Sequence, residues 1–305
     1  MNIRDLEYLI AIDEERHFNR AARRCFVSQP TLSGQLKKLE EELDILLVER
    51  NTRQVVMTDA GTMIAGLARK VLADIKNIRE TANAFHDPMA GELKIGLIPT
   101  IAPYLLPHIM PTLNTQFPKL KLWLHEYQTY VLLEKLKNAD IDLLILALPV
   151  STKEFSQIHL FNEPFQLAVS NTDILAKHKI ISLNDISQRE MLLLEEGHCL
   201  RDHALDVCFM AGADENRGFH ASSLETLRHM VSENMGITLI PELAVPADQN
   251  QQQSIHYLPF ENNRPHRQIG MLYRKGSYRE STFITIAESI KLSLSKLFSE
   301  EKLIP

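Results

Sequence analysis

Apolar and polar residues fall into three regimes along this chain of 305 residues. In the first, Phe18, Ala21 and Ala22 form one apolar face, and the two alanines let a second helix approach closely. Leu32, Leu36 and Leu39 then recur at helical spacing. Ser28 suits an N-cap and Pro30 the first turn, so a helix is predicted to open there. Residues Glu49 to Met57 alternate and end in β-branched side chains, which predicts a short hairpin. In the second regime Ile64, Ala68, Val71, Ile75, Ile78, Ala82 and Phe85 follow a four-three spacing over about three heptads, the pattern of a long helix with a dimerisation seam. A helix lying on its own domain would show a broader stripe, and Leu67 and Leu72 widen it a little. In the third regime, strands at 93–98, 121–126 and 142–147 alternate with helices at 104–117 and 131–138. Strands follow near 166–170, 191–194, 218–221 and 237–240, and the chain returns through 268–274 into a helix over 281–298. This rhythm predicts a parallel, doubly wound sheet.

The helix that opens at Ser28 and Pro30 turns Gln29, Thr31, Ser33, Gln35 and Lys37 away from its leucine stripe, and such side chains reach base edges and phosphates in a major groove. The hairpin carries Arg50 and Arg53, which would grip flanking phosphates or the minor groove. The layout is that of a winged helix-turn-helix, and the competing reading is a small packing module with a solvated charged face. Net charge is −6, unlike a strongly basic DNA binder. Basic groups nevertheless outnumber acidic ones between residues 16 and 53, which implies modest affinity per subunit and a role for multimers.

Leu6-Glu7-Tyr8, the Phe18/Ala21/Ala22 face, Ser28-Gln29-Pro30-Thr31-Leu32-Ser33, Leu46-Leu47-Val48-Glu49-Arg50 and Thr58-Asp59-Ala60-Gly61 together resemble the LysR family of bacterial transcription regulators. The resemblance extends over the whole chain. It implies an α/β effector domain of two doubly wound, periplasmic-binding-protein-like subdomains, plus an all-helical winged helix-turn-helix DNA-binding domain and a long linker helix. The expected boundaries are 1–58 for the DNA-binding domain, 59–86 for the linker, 87–91 for a hinge and 92–305 for the effector domain. Within the last, subdomain I takes about 92–163 and 268–305 and subdomain II about 164–267.

Three cysteines, Cys25, Cys199 and Cys208, are too few for a disulfide scaffold. Cys199 follows a predicted strand, opens a helical stretch and stands among His198, Arg201, Asp202 and His203. Helix N-termini and neighbouring cations favour a thiolate, so Cys199 is placed for activation. An inert, buried thiol is the competing reading. Cys208 sits nine residues on, roughly 13 Å away in a continuous helix, whereas a disulfide tolerates at most about 7 Å between Cα atoms. Twelve histidines raise the question of a metal, but no CxxC, HExxH or comparable cluster is present, and only a partial set of His198, Cys199 and His203 suggests itself. No glycine-rich phosphate loop points to a nucleotide, so no cofactor or metal is expected.

Gly96-Leu97-Ile98-Pro99-Thr100, Pro103-Tyr104-Leu105-Leu106-Pro107-His108, His125-Glu126-Tyr127-Gln128-Thr129, Glu196 to Asp202 and Ala211 to Glu215 resemble the peroxide-sensing members of that family. The resemblance implies that Cys199 is oxidised to a sulfenic acid and resolved by Cys208 to a disulfide. Thr100, Thr129, His198 and Asp202 would place peroxide and water, and Arg267 would stabilise the thiolate, although the loop from Glu261 to Arg267 matches poorly. The expected protein is a cytoplasmic hydrogen peroxide-responsive activator of antioxidant genes and not a turnover enzyme. It would form a homo-oligomeric dimer of dimers on promoter DNA, with RNA polymerase and a thiol reductant as partners and no membrane. A regulator that binds a small metabolite in the effector cleft, and a thiol peroxidase with a DNA-binding appendage, are the alternatives.

Overall fold

Asn2 begins the first helix because its side chain accepts a hydrogen bond from the Asp5 amide while the Asp5 carboxylate accepts one from the Asn2 amide. The computed structural model describes residues 1–50, 55–84, 87–150, 153–246, 254–261, 264–295 and 297–298, divided into two units, Met1–His86 and Asp87–Pro305. In the first unit α1 (Ile3–Glu15) and α2 (Phe18–Arg24) are followed by α3 (Gln29–Leu43). The Ser28 hydroxyl accepts from the Thr31 amide, as an N-cap should. Leu32, Leu36 and Leu39 are buried against Leu9, Ile12, Ala21 and Ala22. Strands β1 (Val48–Arg50) and β2 (Val55–Met57) form an antiparallel hairpin, so the all-helical description fits the body of the module and not its wing.

Helix α4 (Asp59–Ala84) crosses the hairpin at Gly61, where a Cβ would lie 2.0 Å from the Leu47 carbonyl oxygen. Only glycine permits that approach, and the Thr58 hydroxyl completes the joint by accepting from the Gly61 amide and donating to the Leu46 carbonyl. Gly61→Ala is therefore expected to destabilise this unit by about 1–3 kcal/mol, the usual cost of overpacking. Urea denaturation checks it, and an unchanged midpoint would count against the close crossing.

The linker helix divides the expected seam between its own unit and its surface. Ala68 packs with Leu6 and Ile10, and the partly buried Ile64 packs against the core of the first unit. Val71, Ile78 and Ala82 of that seam are exposed and Ile75 is half-buried, and Met63 and Leu67 extend the exposed stripe. Leu67 lies about 100° round the helix from Ala68, so α1 covers Ala68 and leaves Leu67 bare. Phe85 lies outside the described residues.

The second unit runs β3 (Gly91–Leu97), α5 (Ala102–Gln116), β4 (Leu120–Glu126), α6 (Thr129–Lys137), β5 (Leu143–Leu148), β6 (Phe155–Ser170), β7 (Glu190–Leu194), α7 (Cys199–Ala211), β8 (Asp214–Ala221), α8 (Leu224–Ser232), β9 (Thr238–Pro241), β10 (Ile255–Pro259), β11 (His266–Arg274) and α9 (Glu280–Leu294). The stretch expected as a hinge is tied into this unit, since Asp87 accepts from Lys119 and Arg279 donates to the Ala90 carbonyl. The sheet order is β10-β6-β11-β5-β3-β4, with β9 also on β6, while β7 and β8 pair separately. The predicted parallel rhythm holds for β3 with β4 and β5 and for β7 with β8. The returning strands β6 and β11 run antiparallel to their neighbours and make the main sheet mixed.

Two cores result. One gathers β3, β5, α5, α6, β11 and α9; the other gathers β7, α7, α8, β9 and β10. Strand β6 serves both, pairing with β11 from Phe155 to Pro164 and with β9 and β10 from Phe165 to Ser170. Its first half and β10 escaped the sequence pattern. Pro164 lies within the strand, where it demotes the reading to a break, and it falls where β6 exchanges one partner for the others.

Candidate functional site

Helix α7 begins after a glycine that cannot be replaced freely. Gly197 has φ +94°, and a Cβ there would meet the Gln128 Oε1 at 2.9 Å. This tight approach sets the start of α6 against the start of α7. The buried His198 follows in extended backbone, and its Nε2 lies 3.3 Å from the Gln128 Nε2. An amide nitrogen only donates, so the imidazole accepts at Nε2 and carries its proton on Nδ1. Burial pushes the His198 pKa down, with Glu195 opposing, which also favours the neutral ring.

Cys199 is the first residue of α7, half-buried and packed against the first core. Cys208 lies in the last turn, buried within the second core. All three cysteines are thiols in this structure. A separation of nine residues is two and a half helical turns, so the two thiols point to opposite sides. The intact helix holds them roughly 13 Å apart, as the sequence implied.

Not every flanking charge faces the thiol. Arg201 donates to the Leu194 carbonyl at 3.1 Å and to Glu215 at 2.7 Å, anchoring α7 to β7 and β8. Asp202 is exposed. His203 turns back to the Cys199 carbonyl. Arg267, expected to stabilise the thiolate, makes its hydrogen bonds as follows: Nε donates to Glu163 at 2.8 Å, Nη1 to the Thr100 hydroxyl at 2.8 Å and Nη2 to the Thr100 carbonyl at 2.9 Å. Among the described residues neither Arg267 nor Thr100 hydrogen-bonds the Cys199 thiol. Arg267 fixes the position of Thr100. Burial pushes the Glu163 carboxyl up, and Arg267 and the Leu243 amide, which donates at 3.0 Å, pull it back. Thr129 begins α6 with its hydroxyl oxygen buried and unpartnered among the described atoms.

Gln128 and Glu163 are the site residues that sequence reasoning missed. The first was visible only as the neighbour of Thr129. The second carried a signal, a carboxylate before a proline in an otherwise apolar stretch. Among the described residues, no group of three or more His, Cys, Asp or Glu could hold a metal ion, so His198, Cys199 and His203 are not brought together as ligands.

In the first unit Pro30, Thr31 and Lys37 are exposed and Gln29, Ser33 and Gln35 half-buried along α3. The Ser28 and Thr31 hydroxyls bond each other at 2.7 Å, which spends part of their capacity within the cap. Arg50 ends β1, and Arg53 lies outside the described residues. No helix among the described residues is long and apolar enough to cross a membrane.

Residues 3–62 match the bacterial regulatory helix-turn-helix protein family of lysR type, and residues 86–291 match the LysR substrate binding domain. The DNA-binding transcriptional dual regulator OxyR of Escherichia coli (strain K12) is 48% identical over 300 residues, covering 98% of each chain. The hydrogen peroxide-inducible genes activator of Haemophilus influenzae is 47% identical, covering 95% of this chain and 96% of its own. The chain belongs to the OxyR branch of the LysR family. Among solved structures, a full-length OxyR variant from Pseudomonas aeruginosa superposes with a TM-score of 0.75 at 36% identity, covering 96% of this chain and 95% of that one. The oxidised form of OxyR gives a TM-score of 0.65 at 45% identity over 70% of this chain and 100% of that one. This OxyR-family protein is a peroxide-sensing transcription regulator with a DNA-binding helix-turn-helix domain and a periplasmic-binding-protein-like effector domain.

Proposed function

We propose that this regulator is switched by a disulfide between Cys199 and Cys208. The observation that carries the reading is α7 itself, with one half-buried thiol at its first residue and one buried thiol in its last turn. The Cys199 thiolate attacks one peroxide oxygen, the O–O bond breaks, and the departing hydroxide takes a proton to become water. Sulfur is oxidised to the sulfenic acid. Cys208 then attacks that sulfur, its own proton leaves with the sulfenic hydroxyl as a second water, and a disulfide remains. Thr129 has an unspent hydroxyl, and His198 has a protonated Nδ1 with which to donate to peroxide; Thr100 is held by Arg267 for the same purpose. A solved relative exists in both oxidised and reduced forms, which supports a reversible switch.

The bridged and helical forms of this segment cannot coexist, so oxidation selects a second packing of the effector domain. The regulator works in the cytoplasm as a tetramer, with the exposed stripe of α4 making one dimer contact and the effector domains another. Oxidation reorients the subunits on the promoters of antioxidant genes, where RNA polymerase is engaged, and a cellular thiol reductant resets them. Peptide mapping and footprinting after one equivalent of peroxide test this. A Cys199 to Cys208 linkage is expected, with a footprint of changed extent or half-site spacing. A major product through Cys25, or identical footprints, would overturn it; rapid peroxide turnover would make the protein an enzyme, and ligand binding indifferent to thiol alkylation a metabolite sensor.

On DNA, Gln29, Thr31 and Ser33 supply sequence preference, while Arg50 and Arg53 act through phosphate charge. Arg53→Ala should weaken binding to all sequences and reduce the salt slope by about one unit. Titration at several salt concentrations checks this, and an unchanged slope and affinity would remove the wing from the interface.

A further inference from the structure

His203 has a role that the peroxide chemistry does not require. Its Nδ1 lies 2.7 Å from the Cys199 carbonyl oxygen, one turn back on α7, and its Nε2 lies 3.1 Å from the Leu148 carbonyl oxygen at the end of β5. Carbonyl oxygens only accept, so each contact needs an N–H on the ring. A neutral imidazole carries one such proton and can satisfy one partner. We infer that His203 is a positioning residue for the sensor helix, fastening the first turn of α7 to the end of β5 through both ring nitrogens as an imidazolium and through one when neutral.

Three elements meet the ring. From β6 the ring meets Phe165, centroids 6.5 Å apart and tilted 48°. From β5 it meets the Leu148 carbonyl. On its own helix the neighbouring titratable groups are Cys199, Asp202 and Asp206, and among the described residues no carboxylate forms an ion pair with it. Drawing Cys199 toward Cys208 requires the first turn to open, which breaks the bond to the Cys199 carbonyl and so the link from that turn to β5. Protonation therefore resists the rearrangement, and loss of one proton eases it. The consequence rests on the reading of Cys199 and Cys208 as the switch, but the latch itself belongs to the reduced protein.

The test compares the reduced full-length chain with His203→Gln, which keeps a donor that does not titrate, and with His203→Phe, which has none. Hydrogen exchange of a peptide spanning residues 196–206 is followed from pH 5.5 to 8, each value taken relative to His203→Gln at the same pH so that intrinsic exchange cancels. Relative protection in the native chain is expected to fall several-fold as pH rises, and to be low throughout in His203→Phe. The rate of disulfide closure, measured in the same ratio, should rise several-fold over that range. A ratio flat in pH, or His203→Phe as well protected as the native chain, would overturn the latch. If no Cys199 to Cys208 disulfide forms but protection still follows pH, the latch stands and the switch reading fails; a disulfide with flat protection is the converse.

Discussion

Cys199→Ser is expected to abolish peroxide-dependent disulfide formation and the change in DNA footprint, while DNA binding persists. A serine hydroxyl has nearly the shape of the thiol but does not ionise near neutral pH and cannot be oxidised to a sulfenic acid, so the first chemical step is lost altogether. The helix should survive, because the Cys199 backbone carbonyl still accepts from His203 and the residue is only half-buried. The helix-turn-helix belongs to a different unit and keeps its own core. Cys208→Ser should differ in kind: Cys199 still reacts, but oxidation stalls at a sulfenic acid that a trapping reagent labels. Mass spectrometry after one equivalent of peroxide, with footprinting in parallel, distinguishes the variants. A full peroxide response in Cys199→Ser would remove this thiol from the sensor role.

Glu163→Ala is expected to destabilise the effector unit by about 3–5 kcal/mol, because it leaves the Arg267 guanidinium charged in a site that excludes water. Both side chains are 0% exposed. Glu163 accepts from Arg267 and from the Leu243 amide, so its loss strands two donors at once. Removing both charges together, with Glu163→Leu and Arg267→Met, should cost far less than the single change, since no uncompensated ion then remains. Urea denaturation of the three variants gives the comparison. The double variant should also oxidise more slowly than the native chain, because Thr100 loses both of its donors from Arg267. A single-variant loss under about 1 kcal/mol would mean that water reaches the pair.

Much of this was legible in the chain because local chemistry agreed with the final packing. Ser28, Pro30 and the leucines at 32, 36 and 39 specified α3 by capping and periodicity alone, and the strand read at 142–147 is found at Leu143–Leu148. The setting of Cys199 at a helix start was readable for the same reason. What failed depended on distant partners. Ala68 of the α4 stripe is covered by α1, and the Arg267 guanidinium is engaged by Glu163, 104 residues earlier, and by Thr100. Gln128 gained its role from Gly197, whose missing side chain leaves no periodic mark. Each miss is a tertiary contact overriding a correct local inclination.

The placement of the two thiols in different cores fixes the temperament of the switch. To join them, at least one must leave the apolar neighbours it packs against, and the turns between must give up backbone hydrogen bonds. On the proposed pairing, the oxidised protein is therefore a loaded spring, held only by one covalent bond that the folded chain works against. Strained disulfides of this kind are the readily reduced ones. The reduced helix is where the domain comes to rest, and once the oxidant is gone a thiol reductant silences the alarm with little resistance.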